Sequence, residues 1–210
     1  ENPSLENDIG SSDDFESEQM IGWEVGYRAR PMTAMTFDLS TFGHLYPNLR
    51  SQDAPIAGGI PVTIGNTLIG KSRGVEASVT IQPGNWWRVQ ASYTWLDTEI
   101  TKAQGSRDVS GGANEANDPR YFATVRAGAD LAHNLDVDLW WRAVGALPNP
   151  AVPAYRELNA RLAWRPNQKF EFALVGQDLL HGQHPEFGTS VPRRVEFERS
   201  VRAVMAVRLP

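Results

Sequence analysis

The stretch WWRVQASYTWLDTEI, residues 86–100, decides the fold. Trp87, Val89, Ala91, Tyr93 and Trp95 fall on one side of an extended chain; Arg88, Gln90, Ser92 and Thr94 fall on the other. A helix would scatter both sets around its circumference, whereas a strand separates them. The period predicts a strand with one apolar and one polar face.

The same split recurs in both directions. Upstream, Val75, Ala77, Val79 and Ile81 alternate with Glu76, Ser78, Thr80 and Gln82. Downstream, Leu135, Val137, Leu139, Trp141 and Ala143 alternate with Asp136, Asp138, Trp140 and Arg142, and Leu158, Ala160, Leu162 and Trp164 with Glu157, Asn159 and Arg161. Val201, Ala203, Met205, Val207 and Leu209 share the last face. About nine strands result: 19–30, 32–46, 61–82, 86–100, 119–131, 134–145, 155–165, 168–179 and 195–209. The third could also divide near Gly70 to Gly74.

Connections sort by length. Arg30-Pro31-Met32, Pro83-Gly84-Asn85, Ala132-His133-Asn134 and Arg165-Pro166-Asn167-Gln168 are tight and rich in turn formers. Segments 47–60, 101–118, 146–154 and 180–194 are long and polar, and the two kinds alternate strictly. Short turns on one side and long loops on the other define an all-β antiparallel meander of the transmembrane outer-membrane β-barrel type, short turns in the periplasm. Trp86, Trp87, Trp95, Trp140, Trp141 and Trp164 suit an interfacial girdle near strand ends.

Composition agrees. Of 210 residues 41% are apolar and 21% charged, and no run approaches the ~18 apolar residues of a spanning helix. The net charge of −5 gives no basic field for nucleic acid, and the absence of cysteine excludes disulfides and thiolate metal sites. No Gly-x-Ser-x-Gly elbow, phosphate-binding loop or His-Glu-x-x-His occurs, so no catalytic residue or cofactor is assigned and the chain is read as not an enzyme.

Three stretches carry a family resemblance. EQMIGWEVGYRARPMTAMTFDLSTFGHLYPNLRS (18–51), GVEASVTIQPGNWWRVQASYTWLDTEI (74–100) and AVPAYRELNARLAWRPNQKFEFALVGQDLLHGQHPEFG (151–188) resemble, in this order, strand pairs from the C-terminal half of TonB-dependent receptors. The matching features are Glu24-Val25-Gly26-Tyr27, the Tyr-x-x-Leu of Tyr46 to Leu49, Gly74-Val75-Glu76 and Asp178-Leu179-Leu180. The resemblance implies nine strands of a larger 22-stranded barrel, with about thirteen preceding. Even-numbered strands of that barrel descend to the periplasm, as loop lengths independently require of 19–30.

On this reading residues 1–18 are an acidic extracellular loop segment carrying Glu6, Asp8, Asp13, Asp14, Glu16 and Glu18, and 19–210 are the C-terminal barrel portion. The N-terminal plug domain and the other strands are expected outside this sequence, so the chain by itself is not a complete transporter. The family's terminal aromatic is replaced by Val207-Arg208-Leu209-Pro210, which suggests a clipped or degenerate end. The implied function is receptor and transport: uptake of a ferric siderophore or similar scarce ligand across the outer membrane of a Gram-negative bacterium. The implied partners are outer-membrane lipid, the plug and the TonB energy-transducing system.

A charge on the lipid face costs ~2–4 kcal/mol at mid-bilayer, so Arg88, Asp138, Arg142, Arg161 and Arg202 are assigned to the lumen. There they would pair with the plug or contact an anionic iron chelate through Arg. His181 and His184 form a His-x-x-His pair before the last strand, a weak metal candidate with no evident third ligand. Two other architectures fit the alternation: a small self-contained barrel, pore or adhesin, closed by a strand from the first 18 residues, and a soluble β-sandwich binding module.

Overall fold

The structure, a computed structural model, describes residues 9–11, 15–55, 62–113, 116–187 and 196–208. Its strands are β1 (Ile9–Ser11), β2 (Ile21–Met32), β3 (Met35–Asp53), β4 (Val62–Ile81), β5 (Trp87–Lys102), β6 (Tyr121–Leu131), β7 (Leu135–Val144), β8 (Leu147–Pro148), β9 (Ala151–Val152), β10 (Tyr155–Trp164), β11 (Phe170–Gln177), β12 (Gln183–His184), β13 (Phe197–Glu198) and β14 (Ser200–Val207). Among the described residues no helix is long and apolar enough to cross a membrane. The main path runs β2-β3-β4-β5-β6-β7-β10-β11-β14, nine strands in sequence order, and every pair with a described register on this path is antiparallel. The expected all-β meander is what the chain forms.

Several expectations need correction. The first tight turn is Thr33–Ala34, and Pro31 lies inside β2. Pro31 is the penultimate residue of β2, where the strand is about to give way to the turn. β4 is one strand of 20 residues and does not divide near Gly70. A Cβ at Gly70 would stand 2.6 Å from Leu49 Cδ1, so that glycine serves close packing rather than a break. β3 continues to Asp53, which shortens the loop expected from residue 47. Two long loops carry small hairpins, β8–β9 and β12–β13. β1 joins β4 in parallel, Ile9 opposite Val62, away from both ends of the path. The described part of the first 18 residues therefore does not supply a closing strand. Glu6, Asp8, Asp13, Asp14 and the terminal Leu209-Pro210 lie outside the described residues.

Contacts divide the chain into two units: Glu1–Val25 with Thr41–Gly74 and Leu96–Asp118, and Gly26–Ser40 with Val75–Trp95 and Pro119–Pro210. In the first, the Trp23 indole covers Gly43, where a Cβ would stand 2.6 Å from Nε1. Asn48 and Asn66 tie residues 15–19 down with their amides: Gln19 N donates to Asn48 Oδ1 at 2.8 Å, and Glu16 N to Asn66 Oδ1 at 2.7 Å.

In the second unit register makes one face continuous. Val89, Ala127, Leu139, Ala160, Gly176 and Val201 are successive partners across six strands. In the row beside them stand Trp87, Ala129, Val137, Leu162, Leu174 and Ala203. This face is not a core: Leu162, Leu174 and Met205 are 45%, 52% and 61% exposed. The β6–β7 turn is closed by His133 (φ 64°) and Asn134 (φ 59°), left-handed positions that these residue types occupy more readily than most.

Candidate functional site

The opposite face of the second unit holds the charged residues. Pleating puts residues two apart on one side, and strand register decides which of them meet. Arg88, Gly128, Asp138, Arg161, Val175 and Arg202 are successive partners across six strands. Four of the five predicted lumen residues thus share one row. The fifth, Arg142, is on the same face four residues along β7 from Asp138, opposite Glu157 and Thr124.

Arg161 and Arg165 thread three carboxylates. Arg161 reaches Asp138 Oδ2 at 3.2 Å and Glu171 Oε1 at 2.5 Å. Arg165 reaches Glu171 Oε2 at 3.1 Å and pairs with Asp136. Arg126 lies over the Trp140 ring, 5.9 Å from its centroid, so this tryptophan belongs to the charged face. Arg88 and Arg202 are exposed and make no ion pair among the described residues. Their guanidinium forks remain available to an anion.

Arg142 organises a second cluster. It pairs with Glu157 and with Glu186, and lies over the Tyr155 ring at 5.4 Å. Asn159 Nδ2 donates to Glu157 Oε1 at 2.8 Å. His184 stands with Nε2 3.2 Å from Glu186 Oε1 and Nδ1 3.3 Å from Asp178 Oδ1, its ring 4.6 Å from that of Tyr155. Glu157, Asp178 and His184 are 7%, 6% and 6% exposed. Burial, with the Glu157 carboxylate beside it, pushes the Asp178 carboxyl up. The predicted His181–His184 pair is not the unit that forms. Their centroids are 5.9 Å apart, but His181 is exposed and the carboxylates gather on His184 alone. Both histidines line a cleft of about 510 Å³ with Tyr121, Tyr155, Arg156 and Gln183.

The first unit contains a polar clamp that sequence reasoning left as a plain loop. Asp108, 2% exposed, accepts from Gln52 N at 2.8 Å, Ser110 Oγ at 2.8 Å and Gly111 N at 2.6 Å. Burial alone would raise its carboxyl; the Gln52 amide, the Ser110 hydroxyl and the Gly111 amide outweigh burial and hold it below the usual range. Asp53 bridges to Asp108 through the backbone, and its carboxylate accepts from Ser51 Oγ at 3.1 Å and Thr67 Oγ1 at 2.8 Å. The signal was Asp108-Val109-Ser110-Gly111, an aspartate ahead of a hydroxyl and a glycine, the spacing of a side-chain-closed turn. Its donors are all satisfied locally, so it fastens a loop rather than awaiting a ligand.

Comparison with known proteins follows the same lines. Residues 2–179 match the family described as TonB dependent receptor-like, beta-barrel. No curated protein sequence matches the chain. Among solved structures, the ferric-catecholate import receptor Fiu of Escherichia coli K12 superposes with a TM-score of 0.72 at 16% identity, covering 93% of this chain and 28% of that one. The FrpB iron transporter of Neisseria meningitidis gives 0.73 at 13% identity, covering 94% and 32%. The siderophore receptor PiuA of Acinetobacter baumannii gives 0.67 at 20% identity, covering 90% and 28%. At these identities the likeness is one of fold, and the chain spans less than a third of each. On the match over 2–179 and the meander it forms, this chain belongs to the TonB dependent receptor-like β-barrel family.

Proposed function

We propose that residues 19–210 form C-terminal wall of an outer-membrane receptor that takes up a ferric siderophore or a similar scarce ligand, with residues 1–18 in an extracellular loop. The apolar face meets lipid and the charged row faces the lumen, where Arg88 and Arg202 contact a plug or an anionic iron chelate. The energy for transport comes from the TonB system of a Gram-negative cell. The wall binds and guides; it carries no bond-making chemistry.

The observation that carries this reading is the exposure of the face built from Tyr93, Leu139, Leu162, Leu174, Val201 and Met205, behind a row that holds Arg88, Arg202 and the ion-paired Arg161 and Asp138. Exposed apolar area on this scale is stable only against a non-aqueous phase or a partner. Cells expressing the intact receptor should place it in the outer-membrane fraction and accumulate radiolabelled ferric siderophore in a TonB-dependent way. A protein that stays monodisperse and folds cooperatively in plain buffer would overturn the membrane reading; normal membrane insertion with no iron accumulation would overturn the ligand class.

A further inference from the structure

We propose that Glu157, His184 and Glu186 bind a divalent transition-metal cation of the zinc class beside the cleft that Tyr155 and His184 line. The site is independent of what the receptor transports. It fastens the loop between β11 and β14 to β10, which carries Glu157.

Geometry supplies the first argument. One donor atom from each of the three residues lies within 4.8 Å of the others. A tetrahedral zinc with ~2.0–2.1 Å bonds spaces its donors ~3.4 Å apart, and His184 Nε2 and Glu186 Oε1 are already 3.2 Å apart.

Charge supplies the second. Glu157, Glu186 and Asp178 bring three carboxylates to a largely buried place where, among the described residues, Arg142 pairs with the two glutamates and leaves Asp178 to His184. Carboxylates outnumber the arginine that pairs with them, and buried negative charge calls for compensation. A divalent cation supplies compensation of that sign.

The third argument comes from the two orphaned atoms. Asp178 Oδ1 and His184 Nδ1 are buried 3.3 Å apart, a close contact that is not aligned as a hydrogen bond, and neither has another partner among the described residues. A neutral imidazole donates from one nitrogen and offers a lone pair from the other. With a metal on Nε2, the proton sits on Nδ1 and points at Asp178, the carboxylate–histidine–metal arrangement that orients ligating imidazoles. Without a metal, that same tautomer would aim the Nε2 lone pair at the Glu186 carboxylate. His181 stands outside the donor set, which separates this site from a His-x-x-His pair.

The test uses the intact receptor in detergent, stripped with a chelator and titrated with Zn²⁺ alone by calorimetry. One ion should bind per chain, and its X-ray absorption spectrum should show a single imidazole nitrogen among oxygen donors. His184→Gln and Glu186→Gln should each weaken binding at least about 10–100-fold, the range that loss of a mere outer-shell partner already costs, while His181→Gln changes it less than about twofold. If His184→Gln fails to give a β-type circular dichroism spectrum, Glu186→Gln and the absorption spectrum decide. No saturable Zn²⁺ binding by the folded protein overturns the proposal, as does equal weakening by His181→Gln and His184→Gln.

Discussion

At Glu157 a carboxylate is held almost out of water against the Arg142 guanidinium. Removing one partner of such a pair strands the other, which costs more than the pair is worth. Arg142→Ala should destabilise the protein by ~3–5 kcal/mol in urea titrations in detergent micelles, and Arg142→Met with Glu157→Leu should recover only part of that, because Glu186 is still left without its arginine. Asp108 makes a pH prediction. Its folded carboxyl titrates below the unfolded value of about 3.9, so its clamp is at full strength above that value and is lost as pH falls through the lower folded one. Amide exchange at Gln52 and Gly111 should therefore accelerate only in that acidic window, and Asp108→Ala should accelerate it at every pH. These sites differ in how much of them the sequence displays. Parity along each strand sends Arg88, Asp138, Arg161 and Arg202 to one face. Their sharing a row depends on cumulative register through five strand-to-strand connections, which parity does not contain. His184 is visible as half of a spaced pair, but Glu157 is 27 residues away and reaches it only through the β10 pairing.

At the scale of the element, a strand is legible where its two faces meet different solvents. Val89 to Thr94 alternates cleanly, and β5 starts within one residue of the alternation that predicts it. Legibility fails where backbone chemistry rather than side-chain polarity decides. Pro31 reads as a turn former, yet it is the penultimate residue of β2 and the turn begins only at Thr33. Gly70 reads as a break, yet it makes room for Leu49. Alternation also predicts how substitutions divide. Leu162→Arg, between Val137 and Leu174 on the apolar face, should cost ~2–4 kcal/mol of folding free energy into phospholipid vesicles. Thr94→Arg, on the charged face opposite Phe122, should cost much less. Equal costs would mean that the two faces see the same environment.

Across the described residues, 29 large apolar side chains are exposed and seven apolar residues are buried, three of them alanines. A water-soluble chain of this length gathers its apolar side chains into a core, because that burial offsets the entropy of ordering the chain. Here the offset must come from outside the chain. From Trp87 to Trp95 the strand rises about 26 Å, and at the usual barrel tilt that approaches the ~25 Å apolar band of an outer membrane. Adjacent residues then give the sharpest test of the arrangement. Trp141 lies on the apolar face between Val125 and Leu158; Trp140 lies on the charged face under Arg126. They share a backbone and a depth and differ only in side. In vesicles whose acyl chains carry bromine, a variant retaining Trp141 alone should lose most of its fluorescence, and one retaining Trp140 alone should keep it. Soluble acrylamide should reverse the order. If both respond alike to both quenchers, the two faces do not separate lipid from water, and the alternation that begins at Trp86 has been assigned to the wrong pair of solvents.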